Sequence, residues 1–598
     1  MLISPKKYLF SVAIAVFQQM AFAQNATLPR IDINTDNNAQ ITSKEVWATM
    51  TFSLNDPSNP QNNISAIGNQ QIRGRGNSSW NASWNRISPP DGINTYRNPY
   101  RIRFRNNQQQ SPFGLPAARN WVLMNADIEK NAFGLEMGKR LDLQYTCSYN
   151  PVEVYVNGGN SGKYILTEHR QADPAYIGAP GRPKVHLTEG WFIEMDRYDD
   201  TLKFQTNSYN LPVIIKSPEF TDDITDRRYD FVKNDLNRIA DLMASNDFPE
   251  NGYRDLIDAE TFIKYFLVQT LIQNVDLFRS GTETGEHIGS AFFYKDRGGK
   301  IGAGPLWDLN WSFQTFTGMQ GIGNMGPTYY PYMVHPWLSR FFDDPEFLVR
   351  YKEIWNEKMP QIESMRNFIS EIVGKINGTG TTTTSTINNL TTFYDRRLTF
   401  LKTEYNKVSV RPAVRDLGTV GYNYGQAAPR AVTLVSYGEM SGLSATLQKG
   451  ASSDFQITSN IAQTPTGKGG YLAAVSVKPK DALAIASYRD TLLFSGTKQG
   501  NQFTFKVPLN FVVLATAPLQ PSPQIANDNR VIPIKNGINL TTATNAAIQV
   551  YNTAGRNVAS YFLASGVHNV SLAHLPHGIY IAKVSLGNEY KIMRIMVR

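Results

Sequence analysis

This sequence predicts an α+β protein in several parts: a small β-rich lobe, then a mostly helical lobe, then β-sandwich C-terminal domains. Three observations predict it. Residues 24–110 alternate apolar and polar side chains at period two, helical periodicity governs 222–280 and 336–405, and residues 408–513 are short alternating segments rich in Thr, Ser and Gly. A chain of 598 residues also exceeds what one hydrophobic core supports, so a division into domains follows from length.

At the N-terminus, Lys6-Lys7 precede an apolar stretch over 8–17, and Ala21-Phe22-Ala23 forms a small-x-small cleavage signal before Gln24. That pattern predicts a secretory signal peptide at 1–23, too short to span a bilayer. No other segment approaches about 18 continuous apolar residues, so no membrane-spanning helix is expected in the mature chain. Cys147 is the only cysteine, so it has no partner within the chain and reads as a small buried apolar residue. A Cys-type zinc site is thereby excluded, and the seven His show no HExxH spacing. The net charge of +9 is scattered, without the dense basic runs of a nucleic-acid binder. A phosphate-bearing ligand is compatible with that charge but not required by it.

The first lobe is read as strands at 30–34, 47–52 and 100–105. The last of these sets Arg101, Arg103 and Arg105 on one face and Ile102 and Phe104 on the other. A helix is expected over 127–141, with Asp127 as its N-cap. Residues 152–156 and 163–168 form a hairpin turned at Asn157-Gly158-Gly159. Further strands are expected at 190–196 and 211–216, and the Thr run at 381–384 reads as a polar loop between helices. A Pro-rich linker (Pro518, Pro521, Pro523) separates the sandwich, of immunoglobulin-like pattern, from a final block of short strands.

Several residues carry candidate chemistry. Asn274 and Asp276 follow the apolar run 262–272 and are expected to leave a helix C-terminus, where the dipole disfavours a carboxylate. Asp308 follows a strand and the Gly304-Pro305 corner. In Trp307-Asp308-Leu309-Asn310-Trp311, an extended chain would put Asp308 and Asn310 on one side, two oxygen donors suited to Mg²⁺ or Mn²⁺. Two such acidic or amide clusters on short loops are what phosphoryl transfer needs. A Ca²⁺ loop, a buried polar network or plain turn chemistry would use the same residues.

Arg73-Gly74-Arg75-Gly76-Asn77-Ser78-Ser79 is a turn whose glycines admit an anion to backbone N–H groups, with Arg75 and Ser78 able to add phosphate contacts. It is neither a Walker A loop nor a GxGxxG, and it is equally a simple Gly/Asn/Ser turn. One arginine of 101–105 could meet an α- or β-phosphate, paired to a helix carboxylate such as Glu136, or the strand could present a solvated face. Glu168 and Lys216 each end a strand, and each could face a nucleotide or solvent.

Taken in order, RGRGNSSW, NPYRIRF, FGLPAARNWVLM, VEVYVNGGNSGKYILTEH, VIIKSPE, LIQNVD and GPLWDLNWSF resemble the spore-coat kinase (CotH) family over about residues 28–405. The resemblance implies a divergent protein-kinase-like two-lobe domain that binds ATP and passes phosphate to Ser or Thr hydroxyls of a protein substrate. By position, it implies that Asp276 is the general base, that Asn274 steadies that loop or reaches a metal, and that Asp308 is the metal-binding carboxylate. Arg103 falls where many relatives carry Lys, and Glu168 falls in the block beside the nucleotide. Asn77 falls within the phosphate-side turn, and Lys216 in the VIIKSPE block. Two departures stand out: Asn310 replaces a second acid, keeping an oxygen ligand without its charge, and Arg103 retains charge but not the shape of Lys.

The C-terminal Leu575-Pro576-His577-Gly578-Ile579-Tyr580 and the basic-apolar tail are similar to sorting domains of type IX secretion substrates. That implies export through the periplasm to the surface or the medium. The expected division is thus 1–23 signal peptide, 28–405 kinase-like domain, 408–515 Ig-like sandwich, 516–530 linker and 531–598 sorting or anchoring domain. The expected ligands are ATP with Mg²⁺ or Mn²⁺. Two other classes stay open: a non-catalytic, pseudokinase-like surface protein that binds a protein or polysaccharide, and a carbohydrate-active enzyme, which would need two carboxylates across a cleft.

Overall fold

A computed structural model describes residues 27–76, 79–80, 86–87, 95–96, 98–105, 107–115, 117–169, 190–196, 198, 202–217, 227–278, 288–296, 298–314, 316–319, 323–328, 335–515, 530–534, 536–542, 545–552, 556–563, 566–586 and 589–597. The signal peptide expected at 1–23 lies outside the described residues. So does the linker expected at 516–530, apart from Arg530, which opens a strand.

The β-rich lobe is a closed barrel of seven strands. They are β1 (Arg30–Thr35), β2 (Ala48–Asn55), β3 (Ile64–Gly74), β4 (Tyr100–Arg103), β5 (Asn120–Met124), β6 (Asn150–Val156) and β7 (Gly159–Glu168). Six neighbours pair antiparallel, and β6 closes the ring by running parallel to β1, Arg30 opposite Glu153. Closure removes both sheet edges. The inward faces of the period-two strands fill the interior: Ile31, Phe52, Ile72, Ile102, Trp121, Val154 and Tyr164 are all buried. The β6–β7 hairpin turns at Asn157 (φ 51°) and Gly158 (φ 80°), as expected, and Asn157 Oδ1 accepts from the Thr35 N–H at 2.8 Å.

Helix α1 (Ile128–Arg140) leaves the barrel. Asp127 sits at its N-cap position but makes no side-chain cap; it is left-handed (φ 40°), and its carboxylate instead pairs with Lys130 at 3.4 Å. The second lobe holds an antiparallel five-stranded sheet, in the order β9-β10-β8-β11-β12. These are β8 (Trp191–Met195), β9 (Lys203–Gln205), β10 (Pro212–Ser217), β11 (Ala291–Lys295) and β12 (Ile301–Ala303).

Around this sheet pack α2 (Arg227–Ala244), α3 (Ala259–Ile272), the short α4 (Val275–Phe278), α5 (Pro336–Arg340), α6 (Pro345–Glu357), α7 (Met359–Asn377) and α8 (Thr381–Asn406). They share one apolar core with α1 and the sheet. Apolar residues ring α3, and so nearly all of it is buried. The Thr run at 381–384 is not a loop. It forms the first turn of α8, which the buried stripe Phe393, Tyr394, Leu398 and Leu401 holds against the core.

Residues 409–514 form a β-sandwich. One sheet comprises Ser409–Arg411, Arg430–Tyr437, Gly470–Pro479 and Phe455–Ile457, with Ala462–Pro465 at its side. The other comprises Arg415–Gly421, Asn501–Leu514, Ala486–Lys498 and Ser441–Leu447, and both face a common core. Residues 530–597 fold into a three-stranded and a four-stranded sheet around a separate core.

The sandwich is fastened to α6. Val435 joins the helical core, and Thr466 Oγ1 donates to Glu353. Lys352, 1% exposed, donates to the Lys407 carbonyl and to Ser409 Oγ at 3.4 Å. Burial, reinforced by Lys498 and Arg411 and opposed by Glu404, pushes its ammonium from 10.5 down to about 7. A lysine whose folded pKa is depressed costs stability in full below about 7, and the cost fades as pH rises toward the unfolded value. Lys352→Met is therefore expected to raise the chemical-denaturation midpoint at pH 7. Its advantage should shrink by up to about 1.4 kcal/mol per pH unit on going to pH 9. A gap between variant and parent that does not change with pH would rule this out.

Candidate active site

A cleft of about 290 Å³ opens between the barrel and the second sheet. Its barrel wall carries Lys44, Arg73, Arg75 and Arg101, with Glu45 among them, and its opposite wall carries Glu194, Asp196 and Asp308. A basic wall facing an acidic one is a field that holds a polyanion and a cation together.

The basic wall grows from the end of β3. The Arg75 N–H donates to the Pro99 carbonyl at 3.1 Å, which sets the turn against the start of β4. Gly76 has φ 93°, and a Cβ there would stand 2.3 Å from Ser79 Oγ, so the turn requires glycine. The Arg75 guanidinium lies 5.4 Å from the Trp307 ring centroid and so spans the two walls. Trp47 gathers three more guanidiniums: Arg103 at 4.0 Å, Arg73 at 4.7 Å and Arg101 at 5.7 Å. Arg101 also donates to Asn120 Oδ1 at 3.3 Å.

The acidic wall grows from β8, which is buried along its whole length. Glu194 accepts from Tyr198 Oη at 2.5 Å and lies 3.3 Å from Lys216 Nζ, which in turn donates to Tyr198 Oη at 2.5 Å. Asp196 accepts from the Ser290 N–H at 2.9 Å and faces its Oγ at 3.4 Å.

Asp308 is left-handed (φ 53°) and opens a 3₁₀ turn over Leu309–Trp311. Helix α1 pins that turn. The Leu309 N–H donates to Asn131 Oδ1 at 2.9 Å, and Lys130 Nζ donates to the Asn310 carbonyl at 3.3 Å. Leu309 also fills the space above Gly134, where a Cβ would stand 2.3 Å from its Cδ1. Beyond the turn, the Phe313 N–H donates to the Ile272 carbonyl at 2.9 Å, tying the turn to the end of α3. Arg397, fully buried on α8, grips the same end through the Thr270 carbonyl at 2.8 Å. Helix α3 stops at Gln273 (φ 49°), Asn274 is buried, and α4, which carries Asp276, packs beside the Leu309–Trp311 turn.

Of the residues singled out from sequence, the cleft wall holds Arg75, Arg101, Asp308 and Asn310. Asn77, Ser78 and the side chain of Asp276 lie outside the described residues. Lys216 stands one step behind the wall, joined to it through Glu194 and Tyr198.

Other expectations need correction. Asp308 and Asn310 are not on an extended segment; a helical turn brings both to the cleft. Asn274 and Asp276 do follow the C-terminus of α3, as expected, but Asp276 lies in a new helical turn, which removes the unfavourable dipole argument for it. Arg103 packs on Trp47 and is not on the cleft wall, where Arg101 is the arginine of that strand. Glu136 does not pair with that strand, being held by Arg140 at 2.8 Å and Tyr149 Oη at 2.9 Å. Glu168 faces neither cleft nor solvent. It is 1% exposed and accepts from the Ser148 N–H at 2.5 Å, while His169 takes the place on the wall. Sequence reasoning missed Glu194, Asp196 and Tyr198. Two acids two residues apart at the end of the apolar strand Trp191-Phe192-Ile193 were the available signal.

Asn310 Oδ1 is buried and has no hydrogen-bond partner among the described residues. A buried amide oxygen left without a donor, on the same turn as a carboxylate, fits a hard divalent cation. Among the described residues no group of three His, Cys, Asp or Glu is placed to hold a metal ion.

Comparison with known families finds two matches: CotH kinase protein over residues 72–409, and Secretion system C-terminal sorting domain over 532–598. No curated protein matches. Solved structures with partial likeness include the Salmonella enterica SafA pilin in complex with the SafB chaperone (10% identity, 32% of this chain, 96% of that chain, TM-score 0.13). Others are the zebrafish RET cadherin-like domains 1 to 4 (13% identity, 32% of this chain, 51% of that chain, TM-score 0.16) and the E. coli chaperone DraB (9% identity, 32% of this chain, 97% of that chain, TM-score 0.14). Likeness at those scores carries no argument.

The sorting domain assigns the protein to export, at the cell surface or secreted. No described helix is long and apolar enough to cross a membrane. With the kinase match covering more than half of its length, the chain belongs to the CotH kinase protein family.

Proposed function

We propose that this protein is an exported protein kinase of divergent two-lobe fold, transferring the γ-phosphoryl of ATP to Ser or Thr hydroxyls of an extracytoplasmic protein. In this reading the lobes form a kinase domain over 28–405. An Ig-like sandwich (408–515) and a sorting or anchoring domain (531–598) follow it, with a signal peptide at 1–23 and a linker at 516–530. The observation that carries it is the opposition of Arg73, Arg75 and Arg101 to Asp308, Asp196 and Glu194 across one cleft.

Arg75 and Arg101 hold the phosphate chain, with charge-assisted bonds to its oxygens. Asp308 and the Asn310 oxygen hold Mg²⁺ or Mn²⁺, which when bound neutralises charge on the transferring phosphoryl group. Asp276 takes the acceptor proton, and Asn274 steadies its turn. The Lys216–Tyr198–Glu194 chain fixes the acidic wall so that it does not collapse onto the basic one. The chemistry is positioning and charge stabilisation rather than covalent catalysis.

A thermal-shift titration tests the reading. Mg²⁺–ATP is expected to raise the melting temperature by a few degrees at saturation, as any ligand of the native state does, and Arg75→Ala should weaken the apparent affinity about tenfold or more. Equal shifts in parent and variant would remove Arg75 from the site, and no shift in either would remove the nucleotide.

A second reading has one observation in its favour. Asn310 leaves the metal turn with one charge fewer than a pair of acids, as suits a nucleotide-binding pseudokinase. Stabilisation by Mg²⁺–ATP without phosphate incorporation into any acceptor would select it.

A further inference from the structure

The hydroxyl run Thr381-Thr382-Thr383-Thr384-Ser385-Thr386 has no role in the site just described. It occupies the start of α8, and Thr381, Thr382, Thr384 and Ser385 are exposed while Thr383 is buried. Its position follows from the helix hairpin before it. Asn377 Nδ2 donates to Glu129 Oε1 at 2.7 Å, on the first turn of α1. The next residue, Lys130, reaches the Asn310 carbonyl at 3.3 Å, and Asn131 holds Leu309. The hairpin is thus fastened to the same helix turn that pins the Asp308 segment.

Thr381 comes four residues after Asn377, so the chain cannot carry it more than about 14 Å from that anchor. Farther along, Phe393 packs on Phe313 at 5.6 Å and Tyr394 on Phe133 at 5.3 Å, so the body of α8 is fixed. Its first turns, exposed apart from Thr383 and the half-buried Thr386, are made of poor helix formers. β-branched threonines lose side-chain freedom in a helix, and Thr384 and Thr386 already bond back to the carbonyls of Gly380 and Thr382, both at 3.0 Å. A terminal turn of this composition unwinds readily, and its six residues then extend over about 20 Å. The run carries no Asp or Glu, so a dianion placed there meets no carboxylate on its own turns.

We propose that Thr381, Thr382, Thr384 and Ser385 are phospho-acceptors of this protein's own transferase site; this rests on the kinase reading above. In the step, the bond between the γ-phosphorus and the bridging oxygen of ATP breaks, and a bond from that phosphorus to the Thr or Ser Oγ forms. The hydroxyl proton passes to a carboxylate and then to solvent, and ADP leaves. Each phosphate adds a charge of about −1.5 to −2 and three strong acceptor oxygens to the opening turn of α8.

The test uses the purified full chain with Mg²⁺ and γ-labelled ATP, casein as an added hydroxyl-rich acceptor, and site mapping by mass spectrometry. The variant combines T381A, T382A, T384A and S385A, replacements that favour helix and so preserve α8. The expected result is label mapped within 381–386 in the parent, at least fivefold less self-incorporation in the variant, and equal labelling of casein by both. Casein labelling with self-incorporation unchanged in the variant, or mapped wholly elsewhere, overturns the proposal while leaving the kinase reading intact. No label in either the chain or casein overturns the kinase reading, and this proposal with it.

Discussion

Asp308→Asn is expected to lower phosphate incorporation from labelled ATP by about 10³-fold or more, without loss of the fold. The fold should survive because asparagine is at ease in the left-handed conformation that Asp308 adopts (φ 53°). The turn is also held by groups other than this side chain: Leu309 is fully buried, its N–H is bonded to Asn131, and Lys130 holds the Asn310 carbonyl. What the substitution removes is charge. With Asn310 already neutral, the turn would keep two amide oxygens and no carboxylate to hold a divalent cation. Circular dichroism and the melting temperature without nucleotide should match the parent, while incorporation falls to background. Asp276→Asn should behave likewise if that residue takes the acceptor proton. Parent-like incorporation in the Asp308 variant would refute its assignment as the metal carboxylate.

Asp344→Asn is expected to be the most damaging single change to the helical lobe, at about 3 kcal/mol. Asp344 is fully buried and caps α6 by accepting from the Glu346 N–H at 2.9 Å. Its oxygens also accept from Arg254 Nε and Nη2 and from Tyr253 Oη, each at 2.6 Å. Burial and the neighbouring carboxylate raise the Tyr253 phenol far above its usual range, so it stays a donor. An asparagine would turn an NH₂ toward this set of donors and leave the Arg254 charge with only the more exposed Glu346, at 3.4 Å, as counter-ion. Arg254 is 38% exposed, so water screens part of the loss, which places the cost at the low end for a broken buried pair. Urea unfolding followed by tryptophan fluorescence measures it, since Trp337 and Trp355 lie in the same core. A change under about 1 kcal/mol would show the network to be dispensable.

Local features of this chain were legible in its residues because local physics decides them. Period-two strands, the Asn157-Gly158 turn, the long apolar α3 and the alternating sandwich strands all read correctly from spacing. Long-range pairing did not. Nothing near Arg30 announces that it will lie parallel to Glu153 and close a barrel. For the same reason the strand pattern of Arg101 and Arg103 fixed their common face but not which of them meets the cleft. The Asp308 turn was misjudged because a left-handed Asp leaves no periodic signature. The Thr run was misjudged because a buried stripe farther along α8 overrides poor local helix propensity. Glu194 and Asp196 became visible as site residues only once β8 and the barrel met.

The fastening of the sandwich to α6 has a consequence for how such proteins can be recombined. Exchange at residue 407 would separate Glu353 from Thr466 and leave the Lys352 amine without its carbonyl acceptor. The sandwich is therefore not a bead on a string that evolution, or a protein engineer, could swap freely. A new neighbour at that junction would have to bring its own answer to a cation on α6 that stands almost wholly shut away from water.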